Sequence, residues 1–275
     1  MILIEIPREV PQEIENWKAR ALEITQDILI AATLKEKHIL IDRYKDHWRN
    51  DDLIKFLSDI SFEKCWYTET KFGGDYQEVE HYRPKKGTKN SDGSGHEKHT
   101  GYYWLAFELS NYRLCKSRPN RKKGTFFPIV NERCRANIES EPWQDEIPFF
   151  LDPLKPSDVL LLSFDDTGKP VPEDFIGDDD LQRVNFTIEK YYLDERVLNI
   201  RRQQKWLTVR ELYNSYLNAL KDANASKSIA QRQFAESELR KLQALLTRDA
   251  EFSSVAKASL LKTGDRMAMK IASSI

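Results

Sequence analysis

Glu80 and His81 stand side by side, followed by Pro84, and Asn111 and the run Asn120-Arg121-Lys122-Lys123 come later in the same chain. These residue types suit hydrolysis of a phosphodiester at neutral pH. That reaction needs a base to deprotonate water, a divalent cation to neutralise developing charge, and groups that hold the phosphate in line. Glu80 is an acidic ligand of the kind a hard cation such as magnesium or manganese takes. The side chain of His81 titrates near neutrality when unperturbed, which fits a general base. Asn120 offers a neutral carbonyl oxygen as a second ligand, and Arg121, Lys122 and Lys123 add positive charge at the start of a short helix. Neighbours on a strand point to opposite faces, so Glu80 and His81 share a site only at a bent strand end, which Pro84 supplies.

The elements that must position these groups can be read from pattern. Tyr76 to His81 alternates loosely as a short strand, Asn111 to Lys116 suits a second, and Pro119 sits near the start of a short helix. Residues 85–100 are almost free of apolar side chains and read as an exposed loop, whereas Gly101 to Phe107 is dense enough in aromatics to return to the core. Before this segment, residues 11–32, about 35–47, and a stretch capped by Asn50 or Asp51 read as helices. After it, seven prolines in 128–176 argue for an extended wrap with one strand, Val159 to Phe164. From Asp178 onward the pattern is helical, with a long helix over Asp194 to Leu220 and further starts at Ser226 and Ser253. The expected fold class is α+β and mostly helical. Its parts are an N-terminal helical region at 1–60, a core with its Pro-rich acidic wrap at 61–176, and a C-terminal helical region at 177–275.

The chain has 275 residues, 40% hydrophobic and 32% charged, with a formal net charge of -1. No apolar run reaches the roughly 20 residues that span a bilayer. The start lacks the pattern of a signal peptide, and three cysteines form no regular framework, so a cytoplasmic setting without membrane contact is expected. Net charge gives no hint of a polyanion partner, but its distribution does. Residues 81–124 hold eleven Lys or Arg against three acids, while 139–180 hold two lysines against thirteen acids.

Glu80-His81-x-x-Pro84, Asn111 and Asn120-x-x-Lys123 resemble the signature of HNH endonucleases, whose site is a ββα-metal hairpin plus helix. The longer context is more specific: Cys65-Trp66-Tyr67-Thr68-Glu69, Val79 to Lys85, Gly101 to Ala106, Lys123 to Pro128, and Phe150-Leu151-Asp152-Pro153. Over roughly residues 60–165 it is similar to the HNH proteins of bacterial anti-phage systems, of the retron-associated and Septu nuclease-subunit type. The resemblance implies that His81 is the general base, that Glu80 and Asn120 hold one divalent cation (magnesium or manganese), and that Asn111 belongs to the catalytic set by bracing the His81 ring. Arg83, Lys85, Arg121, Lys122 and Lys123 would face nucleic acid, with Lys123 approaching phosphate. DNA is the expected substrate and an ABC/SMC-like ATPase subunit the expected partner, with no small-molecule cofactor. Relatives often carry two Cys-x-x-Cys pairs for a structural zinc. Here Cys65 is followed by Thr68, and Lys116 and Pro119 occupy the second pair's positions, so no structural zinc is expected. Trp66, Tyr67, Tyr103 and Trp104 are expected to form the brace instead.

Other residues receive blander readings. His96 and His99, in the polar loop, are expected to be solvent-exposed, and His47 to cap a helix end. Arg196, Arg201, Arg202, Lys205 and Arg210 on the long tail helix could follow a DNA backbone or solvate an exposed face, and the interleaved Glu195 and Glu211 favour the second. The alternative to an enzyme is a ββα module that binds nucleic acid or a partner without cutting.

Overall fold

The computed structural model describes residues 1–94 and 99–274, so His96 lies outside the described residues. Helix accounts for 54% of the chain and strand for 8%, which makes the fold α+β and mostly helical. Three helices open it: α1 (Gln12–Ile30), α2 (Leu34–Arg43) and α3 (Asp51–Asp59). Ile14, Trp17, Ala21, Ile24 and Ile28 recur at helical spacing on α1, and all are buried. A reciprocal Thr33–Glu36 capping box starts α2, and the Asn50 side chain accepts from Leu53 N to start α3. Between α2 and α3, His47 stacks on Trp17 at 4.8 Å and shares two side-chain-to-carbonyl hydrogen bonds with it. It ties α1 to the following turn instead of capping a helix.

The middle of the chain carries β1 (Gln77–His81), β2 (Tyr112–Lys116) and α4 (Ser117–Lys123). The two strands pair antiparallel, with His81 opposite Tyr112, Glu80 opposite Arg113 and Val79 opposite Leu114. The segment between them is less open than its composition suggests. Thr88 and His99 are buried, and Lys89 exchanges backbone hydrogen bonds with Thr125 and Phe127. His99 is therefore not solvent-exposed: Nε2 meets the Ala136 carbonyl at 2.9 Å and Nδ1 accepts from Gly101 N. Gly101 holds φ +78, and a Cβ there would fall 2.3 Å from Gly87 N, so only glycine lets these loop strands approach. The aromatic run 102–107 is buried throughout.

The Pro-rich wrap supplies a helical turn, α5 (Pro156–Val159), then the short pair β3 (Leu162–Phe164) and β4 (Pro170–Pro172). The strand expected from Val159 starts only at Leu162, because Pro156 in the first helical position nucleates a turn that runs through Val159. Four tail helices follow α6 (Asp178–Lys190): α7 (Arg196–Ser226), α8 (Ile229–Leu246), α9 (Ser253–Leu261) and α10 (Arg266–Ser273). Ser228, not Ser226, caps α8, since α7 runs on through Ser226.

One hydrophobic core runs from Met1 through the ββα unit to Leu193, and a second joins α7 to α10. Phe164, Trp206, Phe252, Val255 and Ala258 make a smaller third cluster. Arg202 is part of this packing. It is buried against Phe164 and Phe252 and donates to the Leu193 carbonyl, so it does not belong to the solvated face of α7. Among the described residues no helix is long and apolar enough to cross a membrane.

Candidate active site

Alternation along β1 places Glu78 and Glu80 on one face, against α4. Ser117, Asn120 and Lys123 recur every third residue on that helix and meet the two carboxylates in order. Ser117 Oγ and Asn120 Nδ2 donate to the two oxygens of Glu78, at 2.5 and 2.7 Å. Lys123 Nζ donates to Glu80 Oε1, and the Tyr67 hydroxyl donates to Oε2 at 2.8 Å. Both members of the Glu80–Lys123 pair are 1% exposed. Lys123 also donates to the His81 and Tyr82 carbonyls, so its ammonium closes the end of β1. Pro119 sits in the first turn of α4, and Gly124 ends the helix at φ 53 with its N–H on the Asn120 carbonyl.

His81 faces the other way. Its ring meets Trp48 and Tyr112 edge-on, at 4.9 and 5.1 Å. Nε2 lies 2.9 Å from the Ala106 carbonyl. A carbonyl only accepts, so the proton sits on Nε2 and Nδ1 carries the lone pair. Lys85 Nζ lies 3.3 Å from Nδ1 and 4.7 Å from the centre of the Trp48 ring. Burial, and then the Lys85 charge, hold His81 well below the ordinary histidine range, so its ring is neutral at neutral pH. Burial also draws Lys85 down to about 8, helped by Lys123 and Lys86.

Asn111 works on the backbone. Its Oδ1 accepts from Arg83 N at 2.7 Å, and Nδ2 donates to the Arg83 and Leu105 carbonyls. Its own carbonyl accepts from Tyr82 N. It thereby clamps the residues that leave β1 to the peptide next to Ala106, whose carbonyl holds the His81 ring. The side-chain contacts of Asn111 are all to the backbone at the end of β1 and at the 105–106 peptide.

A cavity of about 290 Å³ is lined by Glu80, His81 and Asn120 together with Pro84, Lys85 and Thr125. The bent strand end thus lets the two neighbours share one space. Among the described residues no group of three or more His, Cys, Asp or Glu is arranged to hold a metal ion. The donors offered are one carboxylate and one amide oxygen, which fit a hard cation that keeps several waters, such as magnesium or manganese. Glu80 and Asn120 would hold it, with Glu80 already shared by Lys123 and Tyr67.

The basic residues divide. Arg83 is buried, bonded to Glu146 and the Trp143 carbonyl and 4.8 Å from the Trp143 ring, so it does not face nucleic acid. Lys123 is likewise an internal brace and does not approach phosphate. Both misassignments have one cause: positive charge on a strand or helix does not reveal which face it is on. Lys85 lines the cavity, and Arg121 and Lys122 are exposed on α4. The acidic wrap supplies the buried partners of the basic segment, Glu146 for Arg83 and Asp152 for Arg113.

Cys65 is a buried thiol, and so is Cys115, one place before Lys116; burial pushes Cys115 far up. Thr68 Oγ1 is hydrogen-bonded to Thr70. The expected four-aromatic brace is replaced by separate contacts. Tyr67 stacks on Tyr191 at 3.8 Å, and Tyr103 and Trp104 pack on each other at 5.0 Å. Tyr191 donates to the Tyr67 hydroxyl, which donates to Glu80, so a residue just past α6 reaches the site through two hydroxyls. Sequence reasoning missed both Glu78 and Tyr191. The signal for Glu78 was present, two residues before Glu80 on an alternating strand, whereas nothing local marks Tyr191.

No family model matches the chain. It is 35% identical over 136 residues to the Septu protein PtuB of Bacillus mycoides, a match covering 49% of this chain and 44% of that protein. It is 26% identical over 198 residues to the retron Vc95 putative HNH endonuclease of Vibrio cholerae, covering 71% of this chain and 78% of that protein. The chain thus spans less than half of the Septu relative and most of the retron one. Relatives that bear the Septu and HNH endonuclease names agree with the resemblance read from the sequence, at modest identity.

Proposed function

We propose that the chain is a divalent-metal-dependent HNH endonuclease that hydrolyses DNA, leaving a 5′-phosphate and a 3′-hydroxyl, as the effector nuclease of a bacterial anti-phage system. The observation that carries this reading is the His81 ring. Its proton is held on Nε2 by the Ala106 carbonyl, and its unprotonated Nδ1 meets Lys85, a fellow lining residue of the cavity that also holds Glu80 and Asn120. A magnesium or manganese ion bound by Glu80 and Asn120 would supply charge neutralisation on the phosphate.

The chain's own residues account for the rest. In the free protein the Lys85 ammonium sits on Nδ1. An incoming phosphate draws Lys85 toward itself and opens the lone pair to a water. His81 then takes a proton from that water as it attacks, and Asn111 keeps the ring in place through the 105–106 peptide. Arg121 and Lys122 follow the neighbouring backbone. An ABC/SMC-like ATPase subunit would be the partner, and the setting cytoplasmic.

Purified protein, with any such partner, should nick or cleave plasmid DNA when magnesium or manganese is added. His81→Ala should slow cleavage by about 100-fold or more while DNA affinity stays within a few-fold. A folded His81→Ala variant that cuts as fast as the wild type overturns the assignment.

A second reading, a ββα module that binds without cutting, is favoured by one observation: both Glu80 oxygens already accept hydrogen bonds from Lys123 and Tyr67. Calorimetry with manganese separates the two, because the module should show no binding that depends on Glu80 and Asn120.

A further inference from the structure

We infer that Glu78 is a positioning residue of the site: it fixes which way the Asn120 amide points and so presents Asn120 Oδ1 to the cation. This rests on the functional reading above and assigns a role to a residue outside the family signature.

The argument begins with the strand. Glu78 lies two residues before Glu80, so both project toward α4 while His81 projects away. The Glu78 carboxylate lies against α4 at two points, Ser117 Oγ on one oxygen and Asn120 Nδ2 on the other. A carboxylate offers acceptors alone, and an asparagine amide offers donors on one end and an acceptor on the other. Asn120 can therefore meet Glu78 only with its NH2 end, which leaves Oδ1 on the other side of the amide group. Two adjoining cavities show where that side lies. Asn120 lines both, Glu78 lines only the larger one of about 500 Å³, and Glu80 and His81 line only the smaller. With Nδ2 taken by Glu78, Oδ1 is the end of the amide left for the space that Glu80 and His81 share. Among the described residues no donor is set against Asn120 Oδ1, which leaves its lone pairs for a ligand.

The second bond has its own role. Ser117 is the first residue of α4, and Asn120 is one turn on. With Ser117 held on one oxygen, the other is fixed in space, so the asparagine is aimed by a group that cannot itself rotate away. Partners that orient a metal-binding side chain commonly change affinity by 10–100-fold when removed.

The test is manganese binding to the full chain without DNA, read by calorimetry, for wild type, Glu78→Gln, Glu78→Ala, Asn120→Ala and the Glu78→Ala/Asn120→Ala double variant. Thermal melts select folded variants. Glu78→Ala should weaken binding about tenfold, and Asn120→Ala at least as much. The double variant should match Asn120→Ala, because Glu78 acts only through that amide. Glu78→Gln keeps the size of the side chain but can offer its own NH2 to Asn120, so it should fall between wild type and Glu78→Ala. Unchanged affinity in Glu78→Ala overturns the proposal. So does a full further loss in the double variant, which would make Glu78 a ligand in its own right. A wild-type chain that binds no manganese removes the functional reading and this inference together, whereas manganese binding that ignores Glu78 removes the inference alone.

Discussion

Lys122 and Lys123 are adjacent, and Arg83 and Lys85 are two residues apart, yet within each pair one cation is structural and the other is available. Lys123 is buried on Glu80 and two carbonyls, while Lys122 projects from α4 with the Tyr192 ring 5.5 Å away. Arg83 is enclosed by Glu146, Trp143 and the Phe127 ring, whereas Lys85 sits in the cavity beside His81. What separates them is the phase of a short helix and a strand exit, not charge. The basic segment is thus two sets of cations with different work. One set holds the ββα unit together against carboxylates of the β1 strand and the acidic wrap. The other stands in the cavity and on the exposed face of α4.

The sharpest way to break this division is to delete one member of each set. Lys123→Met leaves the Glu80 carboxylate buried with only Tyr67, and two carbonyls without their donor. Removing one partner of a buried pair costs about 3–5 kcal/mol, so denaturant melts should show a large loss, or no folded protein at all. Lys122→Met should stay within about 0.5 kcal/mol of wild type. Equal melts for the two variants would mean that the buried pair carries no more than a surface charge.

Much of this was legible in the chain. The ββα order and the approximate bounds of its strands followed from alternation at 76–81 and 111–116 and from Pro119, because strand phase and turn residues are local properties. The shared cavity of Glu80, His81 and Asn120 lay within the motif's reach. Arg83, Lys123, Arg202 and His99 were misplaced, because burial is decided by elements far away in sequence: Glu146 for Arg83 and the Ala136 carbonyl for His99. Arg83, Lys123 and His99 each bond to a group far along the chain, and Arg202 is buried by Phe164 and Phe252, so no local window shows their burial.

His81 extends the comparison to its own two neighbours, Lys85 in the cavity and Lys123 behind the strand, both of which disfavour a charged ring. With its folded pKa well below 6.5, the unfolded chain binds the extra proton first. Stability should therefore be full above about pH 6.5 and fall as pH drops below it, by up to about 1.4 kcal/mol per pH unit for one proton. His47 is shifted in the same direction by burial, so His81→Gln should shed only part of that slope. A His81→Gln variant with the full wild-type slope between pH 6.5 and 5 would show that His81 stays uncoupled from folding.

Lys85 gives the corresponding effect on binding at the alkaline end. Its ammonium is lost as pH rises through about 8, earlier than an exposed lysine would lose it. If Lys85 meets phosphate, wild-type DNA affinity should fall between pH 7 and 9 by about tenfold, the scale of one charged hydrogen bond. Lys85→Met should start lower and show little of that fall, so the two curves converge near pH 9. Parallel curves across that range would place Lys85 off the DNA path.

The smallest effect falls to the outer cations. Arg121 and Lys122 are exposed on α4, and Arg121 makes one long hydrogen bond of 3.4 Å back to the Ser117 carbonyl. Neither is tied into the core, so replacing each with glutamine should leave melts unchanged. A phosphate contact releases a counterion, and its loss shows in the salt dependence of binding. Each substitution should reduce the slope of log affinity against log salt by about 0.9 on duplex DNA. Arg83→Gln is the control that sharpens the comparison: it should lower stability while leaving the slope of the folded fraction untouched. If Arg83→Gln flattens the slope and the α4 pair does not, the two sets of cations have been assigned the wrong way round.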